Sequence, residues 1–573
     1  MKLLSIRIAD YRVLHNFEIE FEEAPEGQTY ALDLIVGVNG TGKSTLLRVL
    51  AAIFQYLEKG QTPPFGFEIR YRLKDSLTGD AGITTFSNLQ KNLPYERIAD
   101  DLLRVSYGLE NNQPSLDDPI AARSIASTEL PSLVVAFTTG SEQEWELDNT
   151  SLFGTNYSDS AGSRAPNNEQ QKPPGPDDPQ FKEQLTEWYL HELPGEPVND
   201  MLEEGETTTE NKFMFITAEQ MTLVILCGML NDMKDAFSSS SSINAFSWKR
   251  LQKAMEEPHI KLLRGFSLKF RMNRDVLLAR DQPFIDELIS RAHHIVQMGS
   301  EYLLVFDLVK VQPRESGEET RTQPGQPGEE VFDNSVGQLI DRIGIVEFFT
   351  RLVRLAKPDG RLDPILRDID LFLEKEQAQW GRQAQQPSGE KPPLHLLRWL
   401  SDGEQSFLGR LCLISCLGES EALILLDEPE VHFNDKWKRQ LVLMLNHALD
   451  GQQSHVLMTT HSSITLSDVQ NTSIWVLQRN NGYTSDATSP DLRTLGADPS
   501  DIMVSVFGAE NAAGAQSVQY IKDSIDSIFK EGTSTREGRE ARIAELDKLL
   551  SKVSPGYWRF LIRREMHALE GEK

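Results

Sequence analysis

The sequence predicts an α/β fold with a mixed sheet, a helix-rich insertion and a C-terminal helical segment. Three stretches carry that prediction. Ala31–Val36 is a short apolar run that passes into Gly37-Val-Asn-Gly-Thr-Gly-Lys-Ser44, after which Leu46, Leu47, Leu50 and Ile53 recur at helical spacing. Far downstream, Ala422–Leu426 is a continuous apolar run closed by Asp427-Glu428-Pro429-Glu430, the pattern of a strand buried on both faces of a parallel sheet. Before it, Ser401-Asp-Gly-Glu-Gln405 is a polar turn that leads into an apolar helix.

Taken in order, Phe17–Glu22 alternates strictly and reads as a strand with one buried face. Leu4, Ile6 and Ile8 give its partner the same period. Gly37–Ser44 is a full match to the phosphate-cradling loop, in the strand–loop–helix context that the match requires. Backbone N–H groups across Gly37, Gly40, Thr41, Gly42 and Thr45 suit phosphates at a helix N-terminus. Lys43 neutralises β/γ-phosphate charge and Ser44 ligates Mg²⁺. Asn39 suits either the γ-phosphate or the turn itself. ATP and Mg²⁺ are therefore the expected ligands.

Residues 67–73 and 132–138 read as further strands, with an acidic stretch of no clear period between them. Residues 154–180 are Ser, Asn, Gln, Pro and Gly with almost no large apolar side chain, the composition of a disordered loop. The serine run 238–242 reads as a mobile turn, and 314–330 and 381–393 as further low-complexity segments. Helices are predicted at 217–233, 284–297, 336–355 and 364–379, and strands at 266–271 and 302–308. The chain then divides into 1–142 and 392–499 as two halves of one head, 143–391 as the insertion, and 500–573 as the C-terminal segment. In that segment 517–529, 539–550 and 557–569 are helical by pattern. Arg559, Arg563 and Arg564 cluster on the last of these, which suits either a hairpin packed on its own head or an interaction surface.

Asp427, at the carboxyl end of its strand, sits where a Mg²⁺ ligand belongs, and Glu428 beside it is placed to polarise an attacking water. Residues 456–460 form another short strand, after which His461 is placed to donate to a γ-phosphate. Each signal alone has an ordinary explanation. Ser401 suits a helix N-cap with Glu404 in the first turn, and adjacent carboxylates suit a capping loop. The three together, in this order, point to nucleotide hydrolysis. His432 suits packing or support of the site equally, and His293-His294, predicted on a helix without an acidic cluster, reads as structural.

Composition narrows the classes. Of the 573 residues, 39 % are hydrophobic and 25 % charged, which is ordinary for a soluble globular protein. A net charge of -28 argues against a surface that coats nucleic acid indiscriminately, while leaving room for a local basic groove. Cys227, Cys412 and Cys416 all lie in apolar surroundings, as buried thiols in a reducing compartment do. The apolar run 221–230 is about half of what a membrane span needs, and Arg7 and Asp10 break the apolar start. A cytoplasmic protein without membrane attachment is expected.

Gly37–Ser44, Leu400–Gln405, Asp427–Glu430 and His461 resemble the Walker A, signature, Walker B and switch-histidine motifs of ABC-type ATPases. The branch they resemble is the SMC, RecF and OLD-like group. Within it, Asp427-Glu-Pro-Glu-Val-His-Phe-Asn434, Thr459-Thr-His-Ser-Ser463 and Phe507-Gly508 after Thr494–Asp501 resemble the ATPases of Septu-type and retron-associated anti-phage systems. The resemblance implies a head-to-tail ATP sandwich, a homodimer or higher even oligomer, with Ser401, Gly403 and Glu404 of one subunit at the nucleotide held by Lys43 of another. The insertion has no long heptad run, against an SMC-type coiled coil. Neither an OLD-type acidic nuclease cluster nor an HNH pattern is present, so the expected cutting or toxic activity belongs to a partner effector. The alternative is a DNA-repair or recombination ATPase of the RecF/SMC type. A non-hydrolysing scaffold has no need of Glu428. For the lid glutamine, Gln90 and Gln143 both fit.

Overall fold

In a computed structural model the chain divides into two compact units, Met1–Pro499 and Ser500–Lys573. The structure describes residues 1–22, 29–74, 81–90, 95–98, 102–109, 120–121, 125, 127–139, 145, 212–238, 242–256, 258–271, 281–312, 329–356, 364–375, 394–417, 421–509, 513–530 and 536–571. Of the stretches expected as loops, 154–180 and 381–393 lie outside the described residues, as do 239–241 of 238–242 and 314–328 of 314–330; Ser238 ends a short helix, and Glu329 and Glu330 belong to a strand instead.

In chain order the strands begin with β1 (Lys2–Tyr11), β2 (Leu14–Glu20), β3 (Ala31–Val36), β4 (Phe67–Lys74), β5 (Ala81–Ser87), β6 (Leu102–Leu109), β7 (Ile120–Ala121), β8 (Leu133–Thr138) and β9 (Phe213–Ile216). Next come β10 (Ile260–Arg271), β11 (His294–Met298), β12 (Glu301–Asp307), β13 (Val309–Gln312), β14 (Glu329–Phe332), β15 (Leu366–Lys375) and β16 (Leu394–Leu396). The last are β17 (Ala422–Asp427), β18 (His455–Thr459), β19 (Ile474–Leu477) and β20 (Thr484–Thr488).

A 13-stranded mixed sheet runs β7-β6-β5-β4-β1-β2-β20-β19-β3-β18-β17-β8-β9. From β19 to β9 every pairing is parallel. All residues of β8, β17 and β18 are buried, which explains their unbroken apolar runs: both faces are covered. From β7 to β2 the pairing is antiparallel, and β20 joins the two regions. The stretch between β4 and β8 that carries no clear period supplies β5, β6 and β7 of this wing.

A buried polar knot ties β1, β3, β18 and β19 together. The Leu3 N–H donates to His455 Nδ1 (3.0 Å), so Nε2 carries the ring proton and donates to Asp33 Oδ2 at 2.8 Å. Trp475 Nε1 donates to the other Asp33 oxygen (3.0 Å), and the Lys2 amine lies 3.3 Å away. Burial, with the nearby Lys2 charge, pushes His455 down to about 4. It therefore stays neutral under ordinary conditions.

The insertion carries four strands of a five-stranded antiparallel sheet, β11-β12-β10-β15-β16, whose edge strand β16 comes from just beyond residue 391. Two helices expected from sequence are corrected here. The helix over 284–297 ends at Arg291, Ala292 turns extended (ψ 133°), and His294 opens β11. His293-His294 thus leaves the helix; its ring partners are Asp333 and Asp307. The stretch 364–379 holds strand β15, because Ile369, Leu371 and Leu373 have period two and pair with β10. Arg264 on β10 bridges Glu330 and Glu374, each at 2.8 Å. The expected helix over 336–355 is two, Ser335–Ile343 and Ile345–Ala356, parted at Gly344.

The helix Asp402–Leu417 packs on the helix Met221–Asp232. Gly228 meets the backbone of Cys412, a place with no room for a Cβ. Ser415 Oγ donates to the Gly228 carbonyl (3.1 Å), and Asn231 Nδ2 donates to the Ser415 carbonyl (2.6 Å). Cys227, Cys412 and Cys416 are free and buried in this contact, and burial pushes the Cys227 and Cys412 thiols up.

The second unit is helical: Pro499–Ser505 leads into Ala515–Lys530, Arg536–Lys552 and Tyr557–Gly571. Ile521, Ile528, Leu546, Leu549, Leu550, Ile562 and Leu569 form its core. Among the described residues no helix is long and apolar enough to cross a membrane.

Candidate active site

β3 delivers the glycine-rich loop and the helix Lys43–Glu58 continues it. Gly42 takes φ 95°, and a Cβ there would lie 2.8 Å from Val13 Cγ2. Gly37 is closed in by the Leu477 carbonyl, 2.6 Å from where its Cβ would stand. Only glycine fits these two places, and the loop is pressed against the β1–β2 turn and the end of β19. Thr41 is buried, donating to the Val38 carbonyl (2.9 Å) and accepting at its own carbonyl from Thr484 Oγ1 (2.8 Å). Asn39 and Gly40 are exposed at the crest, and Ser44 and Thr45 are half-buried in the first helical turn.

The Lys43 amine is buried and donates to the Gly37 and Val38 carbonyls at 3.0 and 3.2 Å. Burial lowers its pKa, while the charges of Glu428 and Asp427 oppose that. Ser44 Oγ donates to Asp427 Oδ1 (2.8 Å), so residues 383 positions apart in sequence meet at the strand ends. Two further hydroxyls hold Asp427: Thr459 Oγ1 on Oδ1 (2.7 Å) and Thr138 Oγ1 on Oδ2 (3.1 Å). Ser44 and Asp427 offer hard oxygen atoms from two elements, and the two strand-end hydroxyls of Thr138 and Thr459 hold the carboxylate in place. That donor set fits Mg²⁺, which keeps waters and phosphate oxygens among its ligands. When bound, it would neutralise charge between phosphate oxygens. Among the described residues there is no group of three or more His, Cys, Asp or Glu side chains able to hold a metal ion.

Glu428 has φ 50°, a left-handed conformation that costs a non-glycine residue about 1 kcal/mol. Its N–H donates to Thr459 Oγ1 (2.9 Å) and its carbonyl accepts from Thr139 Oγ1 (3.3 Å), which hold it there. This conformation accompanies a Glu428 carboxylate that lies 3.1 Å from His461 Nε2, with the two side chains 35 % and 34 % exposed. The hydrogen bond from His461 holds Glu428 below the usual carboxylate range. A half-open carboxylate beside an imidazole N–H, next to the Ser44–Asp427 pair, is a competent arrangement for activating water.

The signature turn is built differently. Ser401 N–H and Oγ both donate to Glu404 Oε2 (2.8 and 2.9 Å), and the Glu404 N–H donates back to Ser401 Oγ at 3.3 Å. This is a capping box, and these hydrogen bonds all stay within the turn. Ser401 is exposed. Gly403 abuts the Trp437 ring, 2.9 Å from where its Cβ would stand. Phe407 stacks on the same indole at 5.1 Å, so the turn rests on the start of the helix Asp435–Leu449, into which the loop after Glu428 leads. His432 lies in that loop with φ 73°, offering its carbonyl towards Gly403. Gln90 is used in a local turn, donating to the Arg97 carbonyl at 3.1 Å; Gln143 lies outside the described residues.

Sequence reasoning missed Thr138, Glu430 and Arg479. Thr138 ends β8, and only the parallel pairing of β8 with β17 shows that it faces Asp427. Arg479 Nη1 approaches Gly40, 3.7 Å from where a Cβ would stand. Nothing local in the sequence marks that hairpin as a neighbour of the phosphate loop.

Residues 1–102 match the family model described as AAA ATPase domain. Residues 244–468 match a second, described as AAA domain, putative AbiEii toxin, Type IV TA system. Among solved structures, the chain is similar to the SMC head domain from Thermotoga maritima, with 10 % identity, TM-score 0.32, and 86 % of this chain and 100 % of that one covered. It is also similar to Smc heads derived from Pyrococcus furiosus (11 % identity, TM-score 0.27, 86 % and 96 % covered) and Pyrococcus yayanosii (11 %, 0.28, 86 % and 97 %). One family match holds the phosphate loop and the other holds Ser401, Asp427, Glu428 and His461, so the two halves of the site fall in separate stretches that match AAA-domain models.

Proposed function

We propose that the chain is an ATP-hydrolysing switch that closes head to tail around nucleotide with a second copy, and that it governs a separate nuclease or toxin effector in prokaryotic anti-phage defence. The observation that carries the hydrolytic reading is Glu428, held in a left-handed conformation, against His461 and beside Ser44–Asp427. Lys43 and the loop amides bind the phosphates. Glu428 orients the attacking water and accepts its proton, and His461, by turning its N–H to a γ-phosphate oxygen, releases Glu428 for that work.

Pairing of heads is supported by the turn Ser401–Gln405. It is exposed and its hydrogen bonds are local, so the Ser401 hydroxyl would need only to turn from Glu404 to reach a nucleotide held by another copy at this helix N-terminus. The defence reading is supported by the motif resemblance and by the toxin–antitoxin wording of the second family description. ATP with Mg²⁺ should convert the purified protein to an even oligomer, measured by light scattering, and Lys43→Ala should remove both nucleotide binding and assembly. An oligomeric state indifferent to nucleotide would sink the sandwich. A nuclease or toxin gene beside this reading frame supports the defence role; a recombination gene there shifts the role to DNA repair.

A further inference from the structure

We propose that Glu430 is a positioning residue for hydrolysis, gripping the backbone of the switch loop so that the His461 ring meets Glu428. One oxygen of Glu430, Oε1, accepts from both Thr460 Oγ1 and the His461 N–H, the latter at 3.1 Å. The Ser462 N–H donates to Thr460 Oγ1 (2.9 Å), so the Thr460 hydroxyl proton is directed at Glu430. Glu428 and Glu430, separated by Pro429, therefore converge on one residue from two sides. Glu428 takes the ring of His461, and Glu430 takes its backbone.

Packing does not explain Glu430. The residue is buried, and its second oxygen, Oε2, has no hydrogen-bond partner. Such an oxygen carries a desolvation cost that an aliphatic side chain would avoid. Burial also pushes its pKa up, and a carboxamide would keep an oxygen for the same two donors. The grip is what the buried polar group supplies. It sets the loop that carries His461 against the strand end that carries Glu428, and β17 and β18 fix the register between them, Asp427 opposite Thr459.

The inference rests on the ATPase reading, and the test separates the two. Failure of the unaltered protein to hydrolyse ATP would sink the ATPase reading; the comparisons below bear on Glu430 alone. Glu430→Leu should lower kcat by roughly thirtyfold or more while leaving ATP affinity within about threefold, the mark of a contact used in the transition state. Glu430→Gln, which keeps an oxygen for both donors, should stay within about threefold of the unaltered kcat. In a His461→Ala background, Glu430→Leu should add less than about twofold, because residues acting through one another are not additive. Amide hydrogen exchange at residues 459–463 should quicken in Glu430→Leu and not in Glu430→Gln, whatever the ATPase rate. The proposal is overturned if Gln is as damaging as Leu, if the losses with His461→Ala multiply, or if ATP affinity falls in step with kcat.

Discussion

The phosphate-loop side and the signature turn share one head but are finished to different degrees. On the first, Ser44, Asp427, Thr138, Thr459, Glu428 and His461 are joined by hydrogen bonds that cross up to 383 positions of sequence. On the second, Ser401 and Glu404 close a ring of bonds three residues wide. The first resembles a half-assembled machine with its reactive parts in register; the second resembles a plug. Under the proposed head-to-tail pairing, the first side would hold the nucleotide and the second would be offered to the nucleotide of another copy.

The sharpest way to break this contrast is at Glu428. Glu428→Gln keeps the side chain's shape and should bind ATP, yet lose two or more orders of magnitude of turnover, about 3 kcal/mol, and accumulate the closed dimer. Unchanged turnover would remove Glu428 from the mechanism. The signature side can be tested almost as strongly with Ser401→Asp. Aspartate still caps the helix but loses the donation to Glu404, so thermal stability should fall only slightly, while its charge beside a γ-phosphate should lower turnover by roughly thirtyfold. An active Ser401→Asp protein would leave Ser401 a helix cap and nothing more.

A smaller effect concerns what the phosphate-loop side is rooted in. His455 is held neutral with its pKa down at about 4, against about 6.5 in the unfolded chain. Between those values the unfolded state binds a proton that the folded state refuses, so stability falls as pH drops from about 6.5 towards 4, by up to about 1.4 kcal/mol per pH unit. Urea midpoints of the unaltered protein and His455→Gln across this window measure it; equal slopes would remove His455 as the cause. The smallest expected change in nucleotide binding comes from the second unit. Arg559, Arg563 and Arg564 changed together to Glu should leave ATP affinity within about twofold while removing effector association. Unaltered pull-down of the effector would make this helix structural only.

Legibility followed the range of the forces involved. The loop Gly37–Ser44, the run ending at Asp427 and the turn at Ser401 are short stretches whose local chemistry nearly fixes their shape, and all three stand where the sequence placed them as elements. Residues 366–375 misled because Ile365, Ile369, Phe372 and Leu373 also satisfy a helical period, and only pairing with β10 decides for a strand. The β11 hairpin misled for the same reason: a helix that could continue past Arg291 is outcompeted by pairing with β12. Glu430 was invisible because its meaning depends on Thr460 and His461, thirty or so positions away. Charge and spacing show that such a carboxylate exists; only the fold shows what it holds.

The place of β3 has a consequence for how the molecule is made. Its two neighbours in the sheet, β18 and β19, are encoded more than four hundred residues after it. At ordinary rates of synthesis the phosphate-loop strand waits for tens of seconds with both of its edges unsatisfied. Asp427 is translated late in that interval and His461 only after β18, so on the proposed mechanism a prematurely ended chain lacks residues that turnover needs. On the proposed mechanism, synthesis must pass His461 before a copy can be active, and the long insertion acts as a delay line between the first half of the site and the second.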